Sequence, residues 1–334
     1  MARSTIEAGY SRTKVMRRLA DLLRAAAAQG RWDDGGGRFV VGADSEGGAT
    51  ITARHDGAGR IGRLRRTAPV DRLLSLAPVR RAASLRRLVR HLRPAPRFVI
   101  NELLGRSTLA PYRLRGSDIQ ILIRHGTWDV WAFNEIFELG LYDPPRRVES
   151  WLRARPRPIR VVDLGANIGL YGAMVRAREP GASVVGFEPD PENTHIHRRC
   201  IQLNDAADRW QLVPAAAARE NGSVAFAAEG DITSHVAPSG DATATITVPA
   251  RDVFEFLEGV DVLKMDIEGG EWELLEDPRF GDAAAVVMEY HPHLCPADDP
   301  HAEVERLLNA AGYTATEVIY QAPDGHGMLW AWKL

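Results

Sequence analysis

The sequence predicts an α/β protein in which an open, mostly parallel sheet carries helices on both faces. Three observations predict this fold. Strand-like apolar runs alternate with helical patterns from residue 160 to residue 311. Short glycine-containing joints follow two of these strands. The last pattern, two apolar runs around the turn "DGHG", predicts an antiparallel hairpin near the carboxyl terminus of the chain, at the edge of the sheet.

The chain has 334 residues and a formal net charge of −2, so it is long enough to bury a sizeable core and to form two domains. We place a smaller, mixed accessory region at residues 1–115 and the sheet domain at residues 116–334. Helical patterns in the accessory region cover 11–29, 70–93 and 98–105. "RFVVGAD" and "ATITARH" read as two short strands around a glycine-rich turn.

The stretch from Arg60 to Arg97 is rich in arginine and contains Asp71 as its acidic residue. Such a stretch predicts either a solvated basic helix or peripheral contact with an anionic surface, such as an acidic carrier, a lipid or a nucleotide-sugar. It lacks the interleaved aromatic residues of a single-strand binder, so nucleic acid is not favoured. The region could also supply contacts for a homodimer.

The sheet domain opens with a strand at 119–124 and a helical pattern at 127–137. Further strands are predicted at 160–163, 183–187, 210–213, 222–227, 243–248, 260–265, 284–289, 313–319 and 327–332. Helices are predicted at 168–178, 191–204, 269–276 and 300–311. A polar, glycine-containing joint that follows a buried strand is where open α/β sheets bind ligands.

The first joint is "VVDLGANIG", which places Asp163, Gly165, Asn167 and Gly169 between strand and helix. Glycine lets the backbone turn sharply and approach a ligand closely. The spacing differs from the G-x-G-x-x-G of dinucleotide sites, because Asn167 stands where the second glycine would be. The leading carboxylate of Asp163 suits a cationic amino-acid group and would repel a pyrophosphate. A pair of turn glycines without a ligand is the alternative.

The second strand ends in "GFEPDPEN", with Glu188 at its tip. A carboxylate at this position can accept hydrogen bonds from both ribose hydroxyls of a nucleoside. Glu188 therefore predicts a ribose but does not choose between cofactors. Asp190, followed by Pro191, fits the N-cap of the next helix.

The strand in "VDVLKMDIEGGEWELL" places Lys264, Asp266 and Glu268 on one side by strand alternation. Asp266 and Glu268 fall at its carboxyl end, above the first glycine joint, and Glu271 opens the next helix. The flanking apolar residues indicate a buried strand rather than a solvated acidic loop. Carboxylates and a lysine are therefore expected to converge beside the cofactor.

These motifs together resemble the FkbM-type methyltransferases, which use S-adenosylmethionine. The resemblance rests on "VVDLGANIG", "GFEPDPEN" and "LKMDIEGGEWELL", with "IRHGTWDVWAFNEIF" upstream and "EYHP" and "AGY" downstream, and it covers residues 119–334. It implies a Rossmann-like, seven-stranded sheet, mostly parallel, with the C-terminal antiparallel hairpin. It also implies O-methylation of a hydroxyl on a small molecule, a sugar, or a lipid- or carrier-linked natural product.

An aliphatic hydroxyl needs a base, and two candidates remain open: His291, after the fifth strand, and Asp266, alone or through Lys264. Asp266, Glu289 and His291 could instead bind a divalent metal, which is not favoured because the set suits Mg²⁺ or Mn²⁺ only loosely. His293 is expected to be a surface loop residue. No metal is therefore assigned.

Arg124 in "RHGTWD" could bind the methionine carboxylate, with Asp129 orienting it. The alternative is a structural turn between strand and helix with Thr127 as the N-cap. The sequence allows both interpretations, and Arg124 is a predicted cofactor-binding residue.

Two other functions remain as alternatives: an NAD-dependent oxidoreductase on a similar sheet, and an inactive scaffold that retains the cofactor fold. The two cysteines, Cys200 and Cys295, indicate no disulfide framework. The N-terminus lacks the apolar core of a signal peptide, and no apolar stretch approaches the roughly 20 residues that span a bilayer. We expect a cytoplasmic protein.

Overall fold

A computed structural model describes residues 38–43, 49–54, 87–104, 108–227, 235–236 and 246–334. The predicted helix over 11–29 and most of the predicted helix over 70–93 lie outside these ranges, as does most of the arginine-rich stretch. The described residues include every motif on which the sequence-based site rests.

The strands include each one that the sequence predicts and add four that it does not, namely the third, fourth, ninth and eleventh. They are β1 (Arg38–Ala43), β2 (Ala49–Arg54), β3 (Leu92–Arg93), β4 (Leu109–Leu114), β5 (Gln120–Arg124), β6 (Arg160–Leu164), β7 (Ser183–Phe187), β8 (Trp210–Val213), β9 (Ala216–Ala218), β10 (Gly222–Ala227), β11 (His235–Val236), β12 (Ile246–Asp252), β13 (Val262–Met265), β14 (Ala285–Tyr290), β15 (Ala315–Gln321) and β16 (Gly327–Trp332).

The helices are α1 (Ala95–Leu104), α2 (Asp129–Phe133) with a π-helical continuation over Asn134–Glu138, α3 (Arg146–Arg153), α4 (Leu170–Arg178), α5 (Pro191–Leu203), α6 (Glu271–Leu275) and α7 (Pro300–Ala310). Helix α6 is shorter than the predicted 269–276, because Glu268 and Gly269 have φ values of 55° and 104°, which a right-handed helix excludes. Within the described ranges, no helix is long and apolar enough to cross a bilayer.

The main sheet has the strand order β2-β1-β15-β16-β14-β13-β6-β7-β8. The pairs from β8 to β14 are parallel, whereas β16 runs antiparallel to both β14 and β15. The seven strands from β15 to β8 confirm the predicted mostly parallel sheet with its C-terminal antiparallel hairpin, and β1 and β2 extend this sheet to nine strands.

The chain reverses its direction of travel across the sheet beside β6. It first builds outward through β7 and β8, and it then returns to place β13 and β14 on the other side of β6. Ligands of open α/β sheets bind in the crevice at such a reversal, beyond the carboxyl ends of the strands. The crevice here lies between the ends of β6 and β13.

Both faces of the sheet are buried, which explains the nearly continuous apolar runs in its strands. Neighbouring residues of one strand belong to different cores: Val161 packs in the core on one face, and Val162 packs in the core on the other. The same alternation separates Val262 from Leu263. Two cores on one rigid sheet hold its polar edge in place.

The predicted β-hairpin in the accessory region is present as β1 and β2, and β1 extends the main sheet by pairing with β15 at Val41 and Tyr320. Strands β3, β4 and β5 form a separate small sheet. The predicted boundary between 115 and 116 lies in the turn between the paired strands β4 and β5. The pairing of β4 with β5 therefore joins residues 92–114 to the sheet domain. For the remainder of the N-terminal region, the boundary between the two domains stays a prediction.

A second small sheet, β11-β10-β12-β9, occupies the segment between β8 and β13. Sequence patterning predicts its last strand at 243–248, whereas β12 covers Ile246–Asp252. Its extra length pairs with β9, whose register joins Ala250 to Ala216. Residues 243–245 lie outside the described ranges.

The end of the arginine-rich stretch makes internal contacts. Side-chain nitrogens of Arg87 and Arg90 lie 3.7 and 3.0 Å from carboxylate oxygens of Glu138, whose side chain is buried. His91 Nε2 lies 3.1 Å from the same carboxylate. These arginines join residues 87–91 to the segment after α2, which is a structural role for this part of the stretch.

Candidate functional site

The glycine joint after β6 is shaped by left-handed backbone conformations. Gly165, Asn167 and Gly169 have φ values of 75°, 49° and 88°. A Cβ on Gly165 would overlap the carbonyl oxygen of Asp266, so this position accepts no side chain without displacing the loop after β13. A backbone hydrogen bond anchors this joint to β7, since the N–H of Ala166 donates to the carbonyl of Phe187 at 2.8 Å.

The second glycine of the joint borders a buried histidine that sequence reasoning did not single out. A Cβ on Gly169 would lie 2.6 Å from the ring of His197, and a Cβ on Gly186 would lie 3.0 Å from it. His197 is fully buried, and burial lowers its pKa to about 3, so the ring is neutral. It fills the space beneath the joint and acts as packing.

Asp163 is fully buried at the end of β6 and faces Lys264 on β13. The ammonium Nζ lies 3.3 Å from Oδ1, yet neither carboxylate oxygen has a well-aligned hydrogen-bond partner among the described residues. Burial raises the pKa of Asp163, and the charge of Lys264 lowers it by less. A buried carboxylate of this kind is costly unless a cationic donor completes it.

Lys264 connects the buried residues of the site. Its Nζ donates to the carbonyl of Gly165 at 2.8 Å and lies 3.8 Å from Oδ2 of Asp266. Burial lowers its pKa, but the carboxylates of Asp163 and Asp266 raise it by more. The predicted catalytic role of Lys264 stays a prediction; its observed contacts are those of a residue that positions the glycine joint and two carboxylates.

Glu188 lies at the end of β7, where the sequence places it, and reaches back to the glycine joint. Its two carboxylate oxygens accept the backbone N–H groups of Asn167 at 2.7 Å and of Asp190 at 2.8 Å. Burial raises its pKa to about 7, although these hydrogen bonds lower it. Each oxygen retains a second lone pair that can accept from a ribose hydroxyl.

Asp190 is the predicted N-cap of the helix after β7. Its Oδ1 accepts the backbone N–H groups of Glu192 at 2.8 Å and Asn193 at 3.1 Å, with Pro191 at the first helical position. The first two acids of "EPDPE" therefore have different roles. Glu188 accepts a backbone N–H of the glycine joint, and Asp190 caps the helix.

Arg124 is held by side chains from two helices. Its guanidinium donates to both oxygens of Asp129, at 3.0 and 2.8 Å, and also to Glu192 at 3.0 Å and Asn193 at 2.6 Å. Burial lowers its pKa, but the contacts with Asp129 and Glu192 together raise it by more. These contacts favour the structural alternative, but the predicted N-cap Thr127 is wrong: the N-cap is Trp128, and Thr127 Oγ1 accepts the backbone N–H of Asp129 at 3.2 Å. The predicted contact with a cofactor carboxylate stays a prediction.

Asp266 and Glu268 follow β13 and line the opening next to the glycine joint. Their side chains are 25% and 27% exposed, whereas Asp163 and Lys264 beneath them are almost wholly buried. Oδ2 of Asp266 accepts the hydroxyl of Tyr142 at 3.1 Å. Burial raises the pKa of Glu268 to about 8, although the charge of His291 lowers it.

His291 lies just behind these carboxylates and is 3% exposed. Its Nδ1 contacts Oε1 of Glu271 at 2.9 Å, and its Nε2 lies 3.3 Å from Oε2 of Glu268. Glu271 is itself anchored by the backbone N–H groups of Ile267 and Gly269. The imidazole ring is therefore fixed in orientation, with Nε2 directed towards the site. His293 is exposed, as expected for a surface loop residue.

Four further side chains join the cluster from two distant segments, and sequence reasoning missed them. Tyr142 contacts Asp266, and Tyr320 on β15 donates to Oε1 of Glu289 at 2.5 Å. Glu135 lies close enough to Glu289 for that carboxylate to raise its pKa, after the larger effect of burial. The ring of His326 packs on that of His291, with centroids 4.5 Å apart. Glu135 lies within the upstream segment of the resemblance, which is the one signal that could have found it.

The predicted metal candidates do come together. Ligand atoms of Glu289, His291 and His326 lie within 4.8 Å of one another, and so do those of Asp266, Glu268 and His291. Both groups share His291. The sequence named Asp266, Glu289 and His291, and the structure adds Glu268 and His326 to the same edge.

Comparison with known proteins identifies the domain that carries this site. Residues 163–315 match the family model described as the methyltransferase FkbM domain. The predicted resemblance to the FkbM-type methyltransferases is confirmed. The matched segment runs from Asp163 to the start of β15 and contains the glycine joint, the carboxylates after β13 and the end of β14. This segment is therefore similar to the methyltransferase FkbM domain.

Relatives of this FkbM-type domain are distant in sequence. The 31-O-demethyl-FK506 methyltransferase FkbM of Streptomyces tacrolimicus is 26% identical over 221 residues, which cover 55% of this chain and 81% of that protein. Methyltransferase 1 of Beauveria bassiana is 24% identical over 193 residues, covering 49% and 74%. A solved S-adenosylmethionine-dependent methyltransferase from Agrobacterium tumefaciens is 13% identical, with a TM-score of 0.38 over 67% of this chain and 70% of that chain.

The residues present at the edge fit the cofactor of this class. Asp163 offers two buried oxygens that lack aligned donors, which suits an ammonium group. Gly165 leaves a bare backbone at the crevice, and the oxygens of Glu188 keep lone pairs for hydroxyl donors. Asp163, Gly165, Asn167, Gly169 and Glu188 would hold the amino-acid and nucleoside parts of S-adenosylmethionine.

Proposed function

We propose that the protein transfers the methyl group of S-adenosylmethionine to a hydroxyl oxygen of a small molecule, a sugar, or a lipid- or carrier-linked natural product. The observation that carries this proposal is the arrangement around Lys264. One ion pair joins it to the buried Asp163 on the cofactor side, and a second joins it to Asp266, which reaches solvent on the other side. The cofactor pocket and a proton acceptor thus share one lysine.

Asp266 is the proposed general base. Its side chain reaches the opening, the hydroxyl of Tyr142 donates to one of its oxygens, and the ammonium of Lys264 compensates its charge. A carboxylate held in this way can accept the proton of an acceptor hydroxyl, while the oxygen keeps the electron pair of the broken O–H bond. A positioned base contributes roughly 10²- to 10⁴-fold to such a reaction.

The cofactor supplies the electrophile, a methyl group on a cationic sulfur whose bonding electron pair stays with the sulfur when the methyl leaves. Glu188 and Asp163 would bind the two ends of the cofactor, and the glycine joint would let the chain lie close against it.

An oxygen acceptor is favoured by a relative as well as by the site. The relative from Streptomyces tacrolimicus carries a name that specifies a 31-O-demethyl acceptor, and it shares the domain over most of its length. An oxygen nucleophile needs a proton acceptor at physiological pH, and the carboxylate of Asp266 provides one beside the glycine joint. These two observations support O-methylation over transfer to an amine.

The test has two steps. Calorimetry should show that S-adenosylhomocysteine binds and that NAD does not, which separates the proposal from a dinucleotide-dependent oxidoreductase. Incubation with methyl-labelled cofactor and a pool of hydroxylated metabolites should then yield products that gain one methyl, detected by mass spectrometry. Binding without any labelled product from hydroxylated pools would favour an inactive scaffold and would overturn the proposal.

A further inference from the structure

We propose that Glu289, His291 and His326 bind one divalent transition-metal ion beside Asp266, and that this ion receives the acceptor's hydroxyl oxygen. Binding of the ion is independent of the proposed function, whereas its effect on the acceptor rests on it. The metal site was not favoured from the sequence, because Asp266, Glu289 and His291 alone are a loose set. The structure adds a second imidazole, which changes the chemistry of the set.

The first argument is the spacing and type of the donor atoms. One nitrogen or oxygen from each of Glu289, His291 and His326 lies within 4.8 Å of the other two, which is the spread that small movements bring into contact with a single ion. Two imidazoles and one carboxylate suit ions such as Mn²⁺, Fe²⁺ or Zn²⁺ better than Mg²⁺, which prefers oxygen ligands. Three protein ligands would leave coordination positions for an acceptor oxygen and water.

The second argument is the way His291 is oriented. Metal-binding histidines almost always give their other ring nitrogen to a carboxylate or carbonyl, which fixes the ring and its tautomer. Nδ1 of His291 makes this contact with Glu271 at 2.9 Å, and Glu271 is fixed by two backbone N–H groups. Nε2, which lies 3.3 Å from Oε2 of Glu268, is thereby the ring nitrogen directed towards the cluster.

The third argument is an unsatisfied nitrogen. Nε2 of His326 is inaccessible to solvent and has no hydrogen-bond partner among the described residues. The ring of His326 packs on that of His291. A buried ring nitrogen without a partner costs free energy, and a metal ion would remove that cost. No observed protein contact performs this task.

The fourth argument is the supporting contact at Glu289. The hydroxyl of Tyr320 donates to Oε1 of this carboxylate at 2.5 Å and leaves Oε2 for another partner. Carboxylates that bind metals are commonly held by such a neighbour. Glu289 and Tyr320 lie on β14 and β15, so two strands of the main sheet fix the position of this ligand.

The ion would assist the base that the proposed function requires. An oxygen bound to a divalent cation holds its proton less tightly, because the cation stabilises the alkoxide. Asp266, which is not in this ligand set, would accept the proton, while the electron pair of the O–H bond remains on the oxygen. The ion and Asp266 therefore have separate tasks at one acceptor.

The test measures binding of Mn²⁺ alone to the full-length protein after treatment with a chelator. Calorimetry should give one ion per chain, and the electron paramagnetic resonance signal of free Mn²⁺ should fall in proportion. His326→Ala and Glu289→Gln should each weaken binding at least tenfold. Gln at 289 can still accept from Tyr320, so that variant preserves the local contact. His195→Ala changes an exposed histidine on α5 and should bind like the wild type.

Two results would overturn the metal site. One is the absence of Mn²⁺ binding at millimolar concentration in wild-type protein that still binds S-adenosylhomocysteine. The other is equal affinity in the wild type and in both His326→Ala and Glu289→Gln, which would place the ion elsewhere. Neither result bears on the cofactor pocket, because S-adenosylhomocysteine binding is measured on the chelated protein. Failure of the proposed function would instead appear as loss of that binding or of methyl transfer.

Discussion

The two halves of the ligand edge are built in different ways. The half proposed to bind the cofactor, at the ends of β6 and β7, is shaped mainly by backbone: left-handed glycines, a bare surface at Gly165 and N–H groups directed at Glu188. The acceptor half, at the ends of β13 and β14, is shaped by side chains: Asp266, Glu268, Glu289 and His291 crowd together with few compensating cations. A site built from backbone geometry needs few residues, but substitutions at those residues disrupt its shape. Substitutions in a charged cluster leave the fold largely intact but change the chemistry of the site.

The largest effect should follow from a substitution on the backbone-defined half. Gly165→Val should reduce the binding of S-adenosylhomocysteine below detection in calorimetry, because a side chain there overlaps the Asp266 carbonyl and disfavours a φ of 75°. Gly222→Val is the matched control, since a Cβ at Gly222 meets no other atom within 4 Å and its φ is not positive. Wild-type affinity in Gly165→Val would show that the joint does not form the pocket.

The next largest effect should come from the charged half. Asp266→Asn should lower the rate of methyl transfer by roughly 10²- to 10⁴-fold, because an amide cannot accept the hydroxyl proton. The amide oxygen can still accept from Tyr142, so thermal unfolding should change little. Asp118→Asn, at a side chain that is 99% exposed, is the control and should retain full activity. A near-normal rate in Asp266→Asn would remove this residue from the mechanism.

A third substitution tests whether Arg124 is a structural residue or a cofactor ligand. Arg124→Met should lower the free energy of unfolding by about 3–5 kcal/mol, because it leaves the fully buried Asp129 without its partner. Arg113→Met breaks an exposed pair with Asp118 and should cost about 1 kcal/mol or less. Denaturant unfolding measures both. Preserved stability in Arg124→Met, together with a tenfold loss of S-adenosylhomocysteine affinity, would instead support the predicted contact with the cofactor.

The smallest effect concerns pH. Burial raises the pKa of Glu188 to about 7, so the carboxylate is ionised above that pH and protonated below it. Hydroxyl donors of the ribose bind the ionised form better, so the affinity for S-adenosylhomocysteine should fall as pH drops from 8 to 6, approaching about tenfold per unit below 7. The nearby charges of Asp190 and Lys264 act in opposite directions on this pKa. Calorimetry over this pH range should show a flat profile for Glu188→Gln, and an equally flat wild-type profile would contradict the assignment.

Much of the fold could be predicted from the sequence because its signals are local. The apolar runs of β6, β7, β13 and β14 and the cap formed by Asp190 and Pro191 act over a few residues. Prediction was less successful where chain geometry intervenes. Helix α6 begins only after the left-handed Glu268 and Gly269, and strand β12 is longer than its pattern indicates because it pairs with β9.

The sequence by itself determined the residues of the proposed cofactor half, because one joint and one strand tip contain nearly all of them and their spacing is kept in any parallel sheet of this order. It also named Asp266, Glu289 and His291 as chemical groups. Only the tertiary structure decided what surrounds them. Glu135 and Tyr142 reach the edge from the segment that follows α2, Tyr320 and His326 reach it from the C-terminal hairpin, and Arg124 contacts Asp129. The physical reason is that backbone conformation is set by neighbours in the chain, whereas the charge and coordination around a side chain are set by neighbours in space.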